Sequence, residues 1–167
     1  MGLKLGSSKL NRYKYFPSTK EELIKLLKER LELDKNADLN DIDVSKVTDM
    51  SELFYNIDVH SPLMDKWDVS DVTNMAAMFA SCINFNSDIS GWNVSNVEDF
   101  RYTFYKCENF DQDISKWNMK KAKNISHIFD GCKKLSCDLT NLRYRIKSPF
   151  NKLKAFNDCQ NATVPEE

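Results

Sequence analysis

Cys82, Cys107 and Cys132 stand 25 residues apart. Evenly spaced thiols can pair as disulfides, hold a soft metal or fill a core. A zinc site needs Cys-x-x-Cys pairs or Cys with nearby His, and neither accompanies these residues. Five cysteines is an odd number, and three are tied to one period, which disfavours a disulfide framework. Ile57 heads the same register, so the series reads as buried, reduced thiols in an apolar layer. Cys137 and Cys159 form a second conceivable pair near the C-terminal end.

The carboxylates repeat as well. Asp88, Asp113 and Asp138 share the 25-residue period, and Asp43, Asp68, Asn93 and Asn118 form a second series. Stacked like charges repel, and calcium would relieve them, so a calcium-dependent structural protein is one reading. No segment gathers oxygen ligands in the D-x-D-x-D-G manner, however, and a turn aspartate can accept its own loop's N–H groups. The two histidines, His60 and His127, lack a recurring Ser, Cys or carboxylate partner. Without a nucleophile, a base and a group to orient it, the sequence points away from an enzyme and names no cofactor.

The elements that position these residues follow from the same interval. Trp67, Trp92 and Trp117, the only tryptophans, keep it, and so do Phe79, Phe104 and Phe129. Three residue types sharing so long a period mark an internal repeat rather than a helix or strand periodicity, and a repeat of this length implies a solenoid. The openings are Leu39-x-x-Ile42-x-Val44-x-x-Val47, Met64-x-x-Trp67-x-Val69-x-x-Val72, Ile89-x-x-Trp92-x-Val94-x-x-Val97 and Ile114-x-x-Trp117-x-Met119-x-x-Ala122. Alternation around the Trp position predicts a short strand. Further on, apolar residues at i, i+3 and i+4 (Met75, Met78, Phe79) predict a two-turn helix, with Asp49, Asn74, Asp99 and Asn124 as caps.

Before the repeats, Ser18 with Glu21 or Thr19 with Glu22 makes a capping box, and Leu23, Ile24, Leu27 and Leu31 recur at helical spacing. A helix over 19–33 is therefore expected as a lid on the first repeat. After them a degraded fifth unit is expected, with Leu142 in the Trp position, Pro149 near a helix start, Phe150 and Leu153 in apolar positions, and Asn157 in place of the Cys. The domain plan is an N-terminal segment and capping helix over 1–37, tandem repeats over 38–139, and a degenerate cap and tail over 140–167.

The charge of −1 is uneven. Residues 1–35 hold nine Lys/Arg against five Asp/Glu, 36–118 hold five against fifteen, and 119–167 hold ten against five. An acidic centre argues against nucleic acid along the repeats, because phosphates need neutralising cations. No apolar stretch approaches the roughly 18–20 residues of a bilayer span. The opening residues lack an apolar run like a signal-peptide core.

The string Phe85-Asn86-x-Asp88-Ile89-Ser90-x-Trp92-Asn93-Val94-Ser95-Asn96-Val97, with Trp67-Asp68-Val69-Ser70-Asp71-Val72-Thr73-Asn74-Met75 before it, resembles the bacterial surface-protein repeat of about 25 residues. That repeat is found in Mycoplasma-type lipoproteins and in relatives of the BspA-like leucine-rich-repeat proteins. The resemblance covers 38–132. It implies a right-handed, leucine-rich-repeat-like α/β solenoid of about 4–5 coils, each a short strand, turn and short helix, behind the capping helix. It also implies binding to other macromolecules, adhesion or host interaction, and a cell-surface or secreted location. The lack of a signal peptide leaves the cytoplasm open, as well as an effector exported without a cleavable signal.

Positions free to vary between repeats are where recognition would be written. On the expected strand face these are Asp43, Asp68, Asn93, Asn118 and Ser95; on the expected helix face, Arg101, Tyr102 and Tyr105 cluster aromatics with an Arg, a combination enriched at binding hot spots. The expectation is a monomeric, non-enzymatic scaffold for a protein or glycan partner.

Overall fold

The structure, a computed structural model, describes residues 12–140 and 154–164. Its one α-helix among these, α1 (Lys20–Leu33), forms as the capping signature predicts. Thr19 Oγ1 accepts the Glu22 N–H at 3.2 Å, and Glu22 Oε2 accepts the Ser18 N–H at 2.7 Å. Leu23, Leu27 and Leu31 are buried in one continuous core with the first repeat's Leu39, Met50 and Phe54. Lys20 Nζ reaches Ser51 Oγ at 2.6 Å, and Arg30 Nη1 reaches Asp41 Oδ1 at 3.3 Å, so polar contacts fasten the helix on that repeat.

The expected α/β solenoid is not what the chain builds. Among the described residues there is no α-helix besides α1 and no extended strand, only isolated parallel bridges such as Asp49↔Asn74, Asn74↔Asp99 and Asp99↔Asn124. The leucine-rich-repeat comparison falls with it, since that architecture needs a sheet. Both predicted elements are replaced by turns, for a reason the backbone makes plain.

Where a two-turn helix was expected, φ is positive at every fourth residue: Glu52 and Asn56, Ala77 and Ser81, Tyr102 and Lys106, His127 and Gly131, Lys154 and Asp158. No right-handed helix passes through left-handed residues. The N–H groups instead alternate in destination. Those of Ala77, Phe79 and Ser81 donate to Arg101, Thr103 and Tyr105 O in the next repeat, while those of Met78, Ala80 and Cys82 close turns onto Met75, Ala77 and Phe79 O. Apolar residues at i, i+3 and i+4 still face one way, toward the core, because successive i→i+3 turns put Met75, Met78, Phe79 and Cys82 on the inside. Each left-handed non-glycine residue costs about 1–2 kcal/mol, which the ladder between repeats must offset.

Where a strand was expected, Trp92 N–H bonds Ile89 O and Val97 N–H bonds Val94 O, giving two successive turns. The spacing of three, two and three in Ile89, Trp92, Val94 and Val97 is the spacing of turn corners. Asp and Asn side chains close these turns from two residues back: Asp88 Oδ1 accepts the Ser90 N–H at 3.0 Å, Asn93 Oδ1 the Ser95 N–H at 3.2 Å, and Asp99 Oδ1 the Arg101 N–H at 3.0 Å. Asp99 therefore caps a turn, not a helix.

The period survives as columns of identical side chains. Phe54, Phe79, Phe104, Phe129 and Phe156 stack with successive centroids 5.1, 5.6, 5.6 and 6.0 Å apart. Trp67 and Trp92 stack at 6.1 Å, 5° from parallel. Each indole N–H donates into the preceding repeat: Trp67 to Leu39 O, Trp92 to Met64 O and Trp117 to Ile89 O. The thiols form a further column, Cys82, Cys107, Cys132 and Cys159 donating to Phe54, Phe79, Phe104 and Phe129 O at 2.9–3.1 Å.

The last rung departs from expectation. Cys159, not Asn157, fills the thiol position, and Phe156 rather than a residue 25 beyond Phe129 extends the phenylalanine column. Asn157 instead donates to buried Asp130 Oδ1 at 2.9 Å. Leu142, Pro149, Phe150 and Leu153 lie outside the described residues.

Candidate functional site: an aromatic slot on the turn face

The left-handed turns place one exposed column over another. Glu52, Ala77, Tyr102 and His127 share the first left-handed position of successive repeats; Tyr55, Ala80, Tyr105 and Asp130 stand three residues later. The second repeat carries alanine in both columns, while its neighbours carry large side chains. The result is a slot of about 460 Å³ with Ala77 and Ala80 on its floor, Glu52 and Tyr55 on one wall, and Tyr102 and Tyr105 on the other. Tyr55 is 55% exposed and Tyr102 38%, so the walls are open to a partner.

The second wall is braced from behind. His127 stacks on Tyr102 at 4.6 Å, and Tyr105 meets Tyr102 edge-on at 5.5 Å. His127 Nδ1 lies 2.9 Å from Asp130 Oδ2, whose other oxygen holds Asn157. This chain of contacts fixes the ring planes. It also corrects the expectation that His127 is isolated: its carboxylate partner sits three residues on, brought round by the turn.

The expected site residues divide. Tyr102 and Tyr105 come together in the slot. Arg101 does not join them; its Nε lies 3.2 Å from Asp99 Oδ2. Asp43, Asp68, Asn93 and Asn118 each accept the N–H two residues on, from Ser45, Ser70, Ser95 and Lys120. They close turns rather than line a sheet face, and Ser95 is the donor in one of them. Glu52, Tyr55, Ala77 and Ala80 were not singled out by sequence. The signal available was the pair of alanines in columns otherwise bulky.

Burial pushes the Cys82 and Cys159 thiols up to about 12 and those of Cys107 and Cys132 well above the ordinary 9.0, so all are protonated donors. All five cysteines are free, Cys137 and Cys159 included. Ser115 holds the Asp113 carboxyl below its usual range through its hydroxyl and N–H, and Thr140 does the same for Asp138 through its N–H and hydroxyl. Among the described residues no group of three or more His, Cys, Asp or Glu could hold a metal ion. Nor is any helix among them long and apolar enough to cross a membrane.

Comparison with known families bears on the repeats directly. The model of a family described as "Mycoplasma protein of unknown function, DUF285" matches residues 22–142, well over half of the chain. The chain belongs to the DUF285 family. DUF285 agrees with the Mycoplasma-type side of the resemblance and not with leucine-rich-repeat relatives. Its description carries no function, so adhesion gains no support from it. No curated protein and no solved structure matches this DUF285 chain.

Proposed function

We propose that this chain is a non-enzymatic binding module that receives a side chain of a protein partner in the slot between Tyr55 and Tyr102/Tyr105. The observation that carries the reading is the pair of alanines, Ala77 and Ala80, opening a gap one repeat wide between the exposed Tyr55 and the braced pair Tyr102 and Tyr105. Tyrosine supplies rigid contact area at low entropic cost, which is why it recurs at binding hot spots. A protein is favoured over a glycan because the wall includes a carboxylate, Glu52, with which no cation among the described residues pairs.

Ala80→Tyr is the decisive variant. Tyrosine already stands in that column at residues 55 and 105, so the substitution fills the gap with a side chain the flanking repeats accommodate. A partner recovered on the immobilised chain, purified and titrated directly, should bind the parent and not Ala80→Tyr. Equal binding of both would remove the slot from consideration.

A further inference from the structure

The chain already contains a filled version of such a site. Arg30 lays its guanidinium over the Tyr15 ring, Cζ 5.4 Å from the centroid, while Nη1 meets Asp41 Oδ1 at 3.3 Å. One planar cation is held there by an aromatic face and a carboxylate, and these contacts fasten α1 to the first repeat. The slot offers the same two partners, Tyr55 with Tyr102/Tyr105 for the face and Glu52 for the charge, with no cation between them among the described residues.

We infer, resting on the slot as a binding site, that the group it takes is an arginine side chain of the partner protein. Three features fit a guanidinium together. Its plane matches a gap one rung wide: adjacent rungs are 5.1–5.6 Å apart in the phenylalanine column beneath. A cation on the Ala77/Ala80 rung would therefore stand one step from each wall, inside the ~6 Å over which cation–π attraction acts. Its charge matches Glu52 and the acidic 36–118 segment, where fifteen Asp/Glu face five Lys/Arg. Its flat, weakly hydrated surface stacks on tyrosine better than an ammonium does. Lys106 Nζ, 5.1 Å over the Tyr105 ring, shows that ring accepting a cation and also sets a competing positive charge against that wall residue.

The test is an NMR titration of the whole chain with acetyl-Gly-Arg-Gly-amide, following the Tyr102 and Tyr105 ring signals. Parallel titrations use the lysine and citrulline counterparts, the neutral aromatic acetyl-Gly-Phe-Gly-amide, and methyl β-glucoside. The arginine peptide should bind about tenfold more tightly than the citrulline peptide, which keeps the shape and loses the charge. Glu52→Gln should remove most of that preference, Lys106→Ala should tighten binding, and both Ala80→Tyr and Tyr55→Ala should abolish it. Equal response to arginine and citrulline, no response of either tyrosine to the arginine peptide, or indifference to Glu52→Gln would each overturn the inference. If the phenylalanine peptide or the glucoside moves the tyrosine signals instead, and Ala80→Tyr stops it, arginine is wrong while the slot stands as a binding site. If Ala80→Tyr folds and binds every ligand as the parent does, both readings fall.

Discussion

The imidazole of His127 lies flat on the phenol of Tyr102, centroids 4.6 Å apart and planes 7° from parallel. The two residues are 25 apart and occupy the same left-handed turn position in neighbouring repeats. Their stacking is thus a product of the ladder between repeats, and it makes one wall of the slot rigid. His127→Ala should cost about 0.5–1.5 kcal/mol, the usual worth of an aromatic pair beyond its area. Urea melts give that figure, and the Tyr102 ring signals should broaden at the same time. Unchanged Tyr102 signals would mean that His127 does not brace the wall.

Ala77→Gly distinguishes turns from a helix by the sign of its effect. In a helix the change costs about 1 kcal/mol. At Ala77, with φ 54°, glycine relieves a strained conformation and should leave stability unchanged or raise it by about 0.5–1 kcal/mol, after allowance for its freer unfolded chain. A thermal melt settles the sign, and a clear loss of stability would restore the helical reading.

Trp92 combines packing with a hydrogen bond. Its ring stacks on Trp67, and its N–H satisfies Met64 O at 3.0 Å. Trp92→Ala should therefore destabilise by about 3–5 kcal/mol. Trp92→Phe keeps most of the ring, and Met64 O keeps the Trp67 N–H, so it should cost less, about 0.5–1.5 kcal/mol for the lost indole hydrogen bond. Were Trp92→Phe to melt like the parent, the indole N–H would have no separate role.

Alkali should weaken the fold through the thiol column. For Cys82 the folded pKa is raised from 9.0 to about 12 by burial, so the folded state holds its proton where the unfolded chain has lost it. That stability is complete below about pH 9 and declines as pH rises toward 12, by about 1.4 kcal/mol per unit for each such thiol. Cys107 and Cys132 are shifted the same way. Urea midpoints measured from pH 7 to 11 should fall above 9, and Cys82→Ala should flatten the slope. A flat parent curve would contradict the buried column.

Alkylation reports on the same column at neutral pH. Cys137 is half-buried while Cys82, Cys107, Cys132 and Cys159 are buried. Iodoacetamide on the native chain should label Cys137 first and the column only on unfolding. Mass spectrometry reads the order directly, and early labelling of Cys107 would show that the column opens.

The 25-residue period, the Trp, Phe and Cys columns, the N-cap of α1 and the identity of nearly every core residue are written in the residues themselves, because burial in a repeat requires the same side chain at the same interval. Tertiary structure decided the rest. Apolar residues at i, i+3 and i+4 suit an α-helix and a run of i→i+3 turns equally well. What separates the two is where Ala77, Phe79 and Ser81 send their N–H groups, and those donors go to carbonyls of Arg101, Thr103 and Tyr105, in another repeat. The same long-range ladder lays His127 on Tyr102, advances the thiol position to Cys159, and sets Ala77 and Ala80 between walls of tyrosine. No local pattern contains those neighbours, since each lies about a full repeat away along the chain.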